Sequence, residues 1–146
     1  MLIEPATSDD GTQWAALRIA LWPDEDPDGL AEGMKEMLDG DDMLALVART
    51  DSGQIAGFAE ASIRRDYVNG CETSPVAFLE GIYVAAGYRR QGVARALAER
   101  VADWGRSRGC REFGSDALIE NRDSHAFHAA IGFAETERVV YFRREL

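Results

Sequence analysis

A chain of 146 residues, 46% of them hydrophobic, is long enough to bury a core without disulfide or metal staples, and one domain over residues 1–146 is expected. A formal net charge of -10, from 26 acids against 16 bases, argues against nucleic acid as a partner. No apolar run nears the ~20 residues of a membrane helix, so no membrane is expected, and Met1-Leu2-Ile3-Glu4-Pro5 lacks the basic start of a secretion signal.

Leu2 to Pro5 reads as a first strand, and Ser8-Asp9-Asp10 offers N-caps for a helix reaching about Ala20, with Trp14, Leu17 and Leu21 at helical spacing. Trp22-Pro23 ends it. A second helix runs from near Pro27 to Leu38. Met43 to Thr50 and Gln54 to Ile63 form a hairpin around Asp51-Ser52-Gly53. Arg64 to Pro75 is polar and carries Asn69-Gly70, hence a loop. Val76 to Val84 returns as an apolar strand. After the loop Ala85 to Gly92 comes an amphipathic helix whose stripe is Val93, Leu97, Val101 and Trp104. Arg111 to Ser115 is a short strand and Ser124 to Ala130 a short helix. Ala134 to Arg138 and Val139 to Arg143 complete a β-rich tail. The sum is a mixed α/β (α+β) fold, a sheet with helices on both faces.

Charge is segregated along the chain. Ten acids face Lys35 and Arg49 between Leu21 and Asp51, whereas seven arginines face Glu99 and Asp103 between Ala85 and Arg111. Each segment alone reads as a solvated helix face; together they suit a protein that binds one anion and one cation. The anion site is the easier to place. Arg89-Arg90-Gln91-Gly92-Val93-Ala94 joins a strand to a helix, Gly92 permits a tight turn, and the first helical N–H groups have no internal partner. With two arginines beside them, a pyrophosphate is the natural guest. No P-loop and no Gly-x-Gly-x-x-Gly is present. Gly81, inside Phe78-Leu79-Glu80-Gly81-Ile82-Tyr83-Val84, suggests a bulge that frees N–H groups for an extended ligand or a thioester carbonyl.

Arg89-x-x-Gly92-x-Ala94, after a strand ending Ile82-Tyr83-Val84 and before Asn121 and Gly132-Phe133, resembles the GNAT superfamily of N-acetyltransferases over the whole chain. The resemblance implies a central, mostly antiparallel sheet and acetyl-CoA as co-substrate. It implies that Ile82, Tyr83 and Val84 bind the pantetheine by backbone, that Arg89, Arg90, Gln91, Gly92, Val93 and Ala94 bind the pyrophosphate, and that Asn121 binds the cofactor arm. Trp22-Pro23, Asp66-Tyr67-Val68-Asn69-Gly70-Cys71, Ser74-Pro75, Gly109-Cys110-Arg111-Glu112, Ser115-Asp116 and Glu135-Thr136-Glu137-Arg138-Val139 are similar to the bacterial aminoglycoside 6'-N-acetyltransferases. That similarity implies a cytoplasmic homodimer acting on a small polycation, with Trp22, Tyr67, Glu80, Asp116 and Glu137 at the aminoglycoside.

An ammonium with a lysine-like pKa is neutral in only about one molecule in a few thousand at pH 7, so a site that acetylates it must take a proton away. Asp116 is the first candidate for base or amine anchor, with Glu80 ordering a water that carries the proton. The bland readings are a turn residue for Asp116, a solvated strand position for Glu80 and a cross-strand partner of arginine for Glu137. Many superfamily members carry a tyrosine seven residues after the asparagine, as a proton donor to the thiolate; here His128 stands in that place, as donor or as a packed helix residue. His125 and His128 have no third ligand beside them, and Cys71 and Cys110 lack zinc spacing, so no metal is expected. Free thiols are the better reading of the cysteines, with a disulfide left open. An N-acetyltransferase for a polyamine or other small cationic metabolite, or a non-catalytic acyl-CoA- or drug-binding module, is the alternative function.

Overall fold

Polar and apolar residues alternate too little in Met43–Arg49 and Ile55–Arg64 for a sheet wetted on one side, and both strands are in fact covered on both faces. A computed structural model describes all 146 residues. Its sheet has five strands in the order β1 (Leu2–Pro5), β2 (Met43–Arg49), β3 (Ile55–Arg64), β4 (Val76–Val84) and β5 (Phe113–Gly114). The first three pairings are antiparallel and the last is parallel. The mostly antiparallel mixed sheet therefore stands as expected.

Period-two geometry sorts the core. Ala45, Val47 and Phe58 pack on one face with Trp14 and Leu17 of α1 (Gly11–Leu21) and Met34 and Met37 of α2 (Pro27–Asp39). Leu46, Ala48, Ala59, Ala61 and Leu79 pack on the other with Val93, Leu97 and Val101 of α3 (Val93–Ser107). Leu97 has no exposed surface, and truncating it to alanine should cost about 2–5 kcal/mol. A 3₁₀ turn at Ser8–Asp10 precedes α1, where the Asp10 carboxylate accepts the Thr7 N–H at 2.8 Å. Asp26 caps α2 by accepting the Gly29 N–H at 2.7 Å, with Pro27 at the first helical position.

The structure departs from expectation beyond α3. The strand expected over Arg111 to Ser115 is only two residues long, paired with Ala77 and Phe78. The expected tail strands, Ala134 to Arg138 and Val139 to Arg143, are not formed. A strand needs a neighbour to pair with: β5 is only two residues long, and the tail after α4 (Arg122–Ala130) forms no ladder with it. Val140, Tyr141 and Phe142 are consequently 74, 79 and 92% exposed.

Candidate active site

The site is organised by an irregularity in β4. Glu60 of β3 lies opposite Gly81 and Ala61 opposite Leu79, so Glu80 is the extra residue of a bulge. Side chains record the shift. Leu79, Ile82 and Val84 join the α3 face, whereas Tyr83 and the open side of Gly81 belong to the α1 face. Glu80 shares that second face, because the Ser62 hydroxyl donates to its Oε1 at 2.6 Å. Gly81 has no room for a side chain: a β-carbon there would overlap the Trp22 ring and stand 3.1 Å from Leu21. Trp22 is thereby laid across the bulge.

A cavity of about 700 Å³ opens around that indole. Asp24, Glu25, Glu36, Glu60 and Glu80 all line it, against Arg18 as the one base. Such a wall concentrates cations and repels anions. Glu80 is further held by Arg64, whose Nη2 donates to its two oxygens at 2.9 and 3.0 Å.

Beneath the cavity lies a buried charge pair that the sequence reading missed. Arg18 and Glu60 are 6% and 1% exposed. Arg18 donates through Nη2 to Glu60 Oε2 at 3.2 Å and through Nη1 to the Leu30 carbonyl at 2.9 Å, while Trp14 Nε1 donates to Glu60 Oε1 at 2.9 Å. Arg18 Nε stands 2.8 Å from Glu60 Oε1 but lacks the alignment of a hydrogen bond. One guanidinium thus joins α1, α2 and β3, and its carbon sits 5.0 Å from the centre of the Trp22 ring. Gly33 makes room for it, since a β-carbon there would be 2.9 Å from both terminal nitrogens. Burial pushes the Glu60 carboxyl up to about 7, against the opposing pull of Arg18 and the Trp14 hydrogen bond. A glutamate in the apolar run Ile55–Ile63 was the available signal; its partner, 42 residues away, was not legible.

On the far side of the bulge the sheet splays. β5 pairs with β4 only at Ala77 and Phe78, so from Glu80 to Val84 one edge of β4 has no strand beside it. Ile82, Tyr83 and Val84 lie along this open edge, where backbone groups can meet an extended ligand. The edge leads to a 3₁₀ turn, Ala86–Tyr88, and then to the expected anion turn. Arg90 has φ 61° and Gly92 φ 79°, both left-handed, and Gly92 is the N-cap of α3. Backbone that changes hand in this way turns successive amides into a concave donor surface. The first bond into the helix is Ala96 N–H to Gly92 C=O at 3.0 Å, which leaves the amides of Val93, Ala94 and Arg95 outside the helical ladder. Arg89 donates through Nε to the Val84 carbonyl at 2.9 Å, so its position is fixed at the end of the open edge. Arg90 and Gln91 are exposed beside it. Free amides, two guanidiniums and an unpaired strand edge fit the diphosphate and amide-bearing arm of a coenzyme A ester.

The remaining expected residues are dispersed. Trp22 and Glu80 share the acidic cavity, whereas Tyr67, Asp116 and Glu137 do not line it. Tyr67 is 78% exposed in the loop after β3, which Glu112 anchors by accepting the Glu72 and Thr73 N–H groups at 2.9 and 2.6 Å. The tail at Thr136 and Glu137 runs beside Gly70 in that same loop. Asp116 is exposed directly after Ser115, whose hydroxyl reaches the Leu79 carbonyl at 3.3 Å; it therefore borders the splayed edge one residue from Glu80's strand. The Asn121 oxygen caps α4 by accepting the Ser124 N–H at 3.1 Å. His128 lies with Nδ1 2.7 Å from the Ser124 carbonyl and Nε2 2.8 Å from the Ser115 hydroxyl, its ring edge-on to Phe127 and Phe133. A carbonyl accepts only, so Nδ1 carries the proton of the neutral ring. Both nitrogens are engaged within the protein, and the packed-residue reading of His128 is the one this geometry supports. Both cysteines are free thiols, and no group of three or more His, Cys, Asp or Glu stands close enough to hold a metal ion.

A bulged strand splayed from its parallel neighbour, ending in a phosphate-sized turn at a helix N-terminus, defines a class: the chain belongs to the acetyltransferase (GNAT) family, whose profile matches residues 14–133. Within that class it is similar to the aminoglycoside N(6')-acetyltransferase type 1 of Acinetobacter genomosp. 13, being 50% identical over 146 residues that span all of this chain and 99% of that protein. Among solved structures it is similar to the aminoglycoside antibiotic 6'-N-acetyltransferase AAC(6')-Ih from Acinetobacter baumannii, with TM-score 0.94 and 48% identity over 99% of this chain and 98% of that one. It is similar also to AAC(6')-Iy in complex with the bisubstrate analog CoA-S-monomethyl-acetylneamine, with TM-score 0.93, 43% identity and coverage of 99 and 98%.

Proposed function

We propose that this chain transfers an acetyl group from acetyl-CoA to the 6'-amine of aminoglycoside antibiotics and thereby confers resistance. In this reading residues 1–146 act as one domain, in the cytoplasm, as half of a homodimer. The observation that carries the proposal is the two-sided strand β4: carboxylates at its bulge line an acidic cavity, and its open edge runs to free amides at Gly92. Cation site and anion site meet at one residue pair, Glu80 and Gly81. The relatives that match the full chain act on aminoglycosides by name, and one was captured with a coenzyme–neamine bisubstrate.

In this reading the residues divide the work. Arg89, Arg90 and the amides of Gln91 to Ala94 hold the diphosphate, and the backbone of Ile82 to Val84 aligns the arm, with Asn121 at its side. Acetyl-CoA supplies an activated acyl carbon. Trp22 walls the acceptor, and Tyr67 and Glu137 meet it outside that cavity. Asp116 anchors the reacting ammonium. Glu80 takes its proton through a bound water, a task that suits a half-buried carboxylate between solvent and bulge. Amide groups at the Gly81 bulge are placed to stabilise charge on a carbonyl oxygen. The exposed apolar run Val139 to Phe142 supports a second copy as partner, since surface this apolar is usually covered.

Thiol release from acetyl-CoA tests the reading. Kanamycin-type acceptors bearing a 6'-amine should turn over, gentamicin components bearing a 6'-hydroxyl should not, and mass spectrometry should find acetyl on the 6' nitrogen. Turnover with spermidine and with no aminoglycoside would replace the acceptor by a polyamine. Binding of acetyl-CoA without thiol release would reduce the protein to a carrier. Sedimentation velocity should show a dimer that dissociates when residues 139–146 are removed.

A further inference from the structure

The reaction proposed above uses Glu80 but gives no task to the guanidinium already bound to it. Arg64 ends β3 and sits over Phe78, its Cζ 3.5 Å from the ring centre. Its Nη2 and Nε donate to Glu80 at 2.9, 3.0 and 3.2 Å. Among carboxylates of the acidic cavity, two are thus paired with arginine, in opposite ways. The Arg18–Glu60 pair is closed, with side chains 7 and 1% exposed, and belongs to the scaffold. The Arg64–Glu80 pair is open to water, with side chains 41 and 28% exposed. A pair so exposed is weak, and another cation can take either partner.

We propose that Arg64 is a specificity-determining residue: its guanidinium occupies, on Glu80, the place that a second ammonium of the acceptor takes, and it leaves when a polycation enters. The inference rests on Glu80 facing the acceptor, as proposed above. Phe78 gives the displaced guanidinium no reason to travel far, since a planar cation keeps its stacking while its fork turns. The consequence is selection. A polycation, drawn by Asp24, Glu25 and Glu36 as well as Glu80, has the surplus attraction to displace an internal arginine, whereas a lone ammonium competes with it on nearly equal terms.

A charge-matched pair of variants tests this. Arg65 follows directly in sequence but pairs with Asp42 at 3.3 Å, away from Glu80. Relative to Arg65→Gln, Arg64→Gln should lower the KM for kanamycin roughly two- to fivefold, the range expected for removing an exposed competing pair. The KM for acetyl-CoA should not move. Arg64→Lys keeps a competing charge and should restore the wild-type value. Independently of any substitution, the Arg64 Nε–H resonance of the wild-type protein should shift on adding kanamycin and stay unmoved on adding acetyl-CoA. Identical acceptor KM in the two glutamine variants, a fall in kcat with KM unchanged, or a silent Arg64 resonance would each overturn the proposal. Glu80→Gln separates the layers. If it abolishes turnover while Arg64→Gln tracks Arg65→Gln, only Arg64's role is lost; if it leaves turnover intact, the assignment of Glu80 falls and this inference falls with it.

Discussion

The buried Glu60 makes the sharpest prediction, because its effect depends on pH in a direction opposite to the usual carboxylate. Its folded value is raised from 4.5 to about 7, so the folded protein holds the proton more tightly than the unfolded chain does. The stability it contributes is therefore fully present below about pH 4.5 and is lost as pH rises through about 7. Between pH 5 and pH 8 the loss is about 2–3 kcal/mol, from the linkage relation applied to those two values. Glu60→Gln removes the titration. Glutamine can still accept the Trp14 N–H, but its amide meets the Arg18 fork as donor against donor, a fixed penalty of about 1–3 kcal/mol at every pH. Urea unfolding of both proteins at pH 5, 6, 7 and 8 isolates the group, since other titrations cancel in the difference. The variant should gain on the wild type steadily as pH rises, by the amount above. Parallel stability profiles would refute the reasoning and mean that Arg18 holds Glu60 ionised throughout.

Other outcomes follow from the same geometry. Gly81→Ala forces the Trp22 ring off the bulge; overpacking of this kind costs about 1–3 kcal/mol, and the acceptor KM should rise more than that for acetyl-CoA. An unchanged acceptor KM would detach Trp22 from the acceptor site. His128→Phe removes the ring's bonds to Ser115 and the Ser124 carbonyl, so the melting temperature should fall, while turnover well below it should drop less than about tenfold. A loss in the 10²–10⁴ range would instead mark His128 as a proton donor. Asp116→Ala should cut turnover far more than acetyl-CoA affinity, as steady-state kinetics beside direct binding would reveal.

Local chemistry was legible in the sequence, and long-range pairing was not. Gly92 announced its left-handed turn, which glycine meets at no steric cost, and Gly81 marked the bulge at Glu80 because no side chain fits there beneath Trp22. The two-faced core followed from spacing in Val93, Leu97 and Val101 and from the apolar β2 and β3. The Arg18–Glu60 and Arg64–Glu80 pairs were missed because nothing local says which strand residue an arginine will meet 42 or 16 residues away. The tail reads as strand in the sequence, yet propensity supplies no partner, and the two-residue β5 gives it little edge to pair with. Tyr67 lies in the loop after β3 and Glu137 beside Gly70 of that loop, neither of them around the Trp22 cavity, a placement that only tertiary structure decides.

Calorimetric titration with acetyl-CoA probes the division of labour most directly. The account predicts that the wild type and Glu80→Gln bind it alike, and that Arg89→Ala, which strips the guanidinium from the end of the open strand edge, binds it at least tenfold more weakly, a loss of ~1.4 kcal/mol or more. Equal affinity in Arg89→Ala, or no heat of binding from the folded wild type, would contradict it.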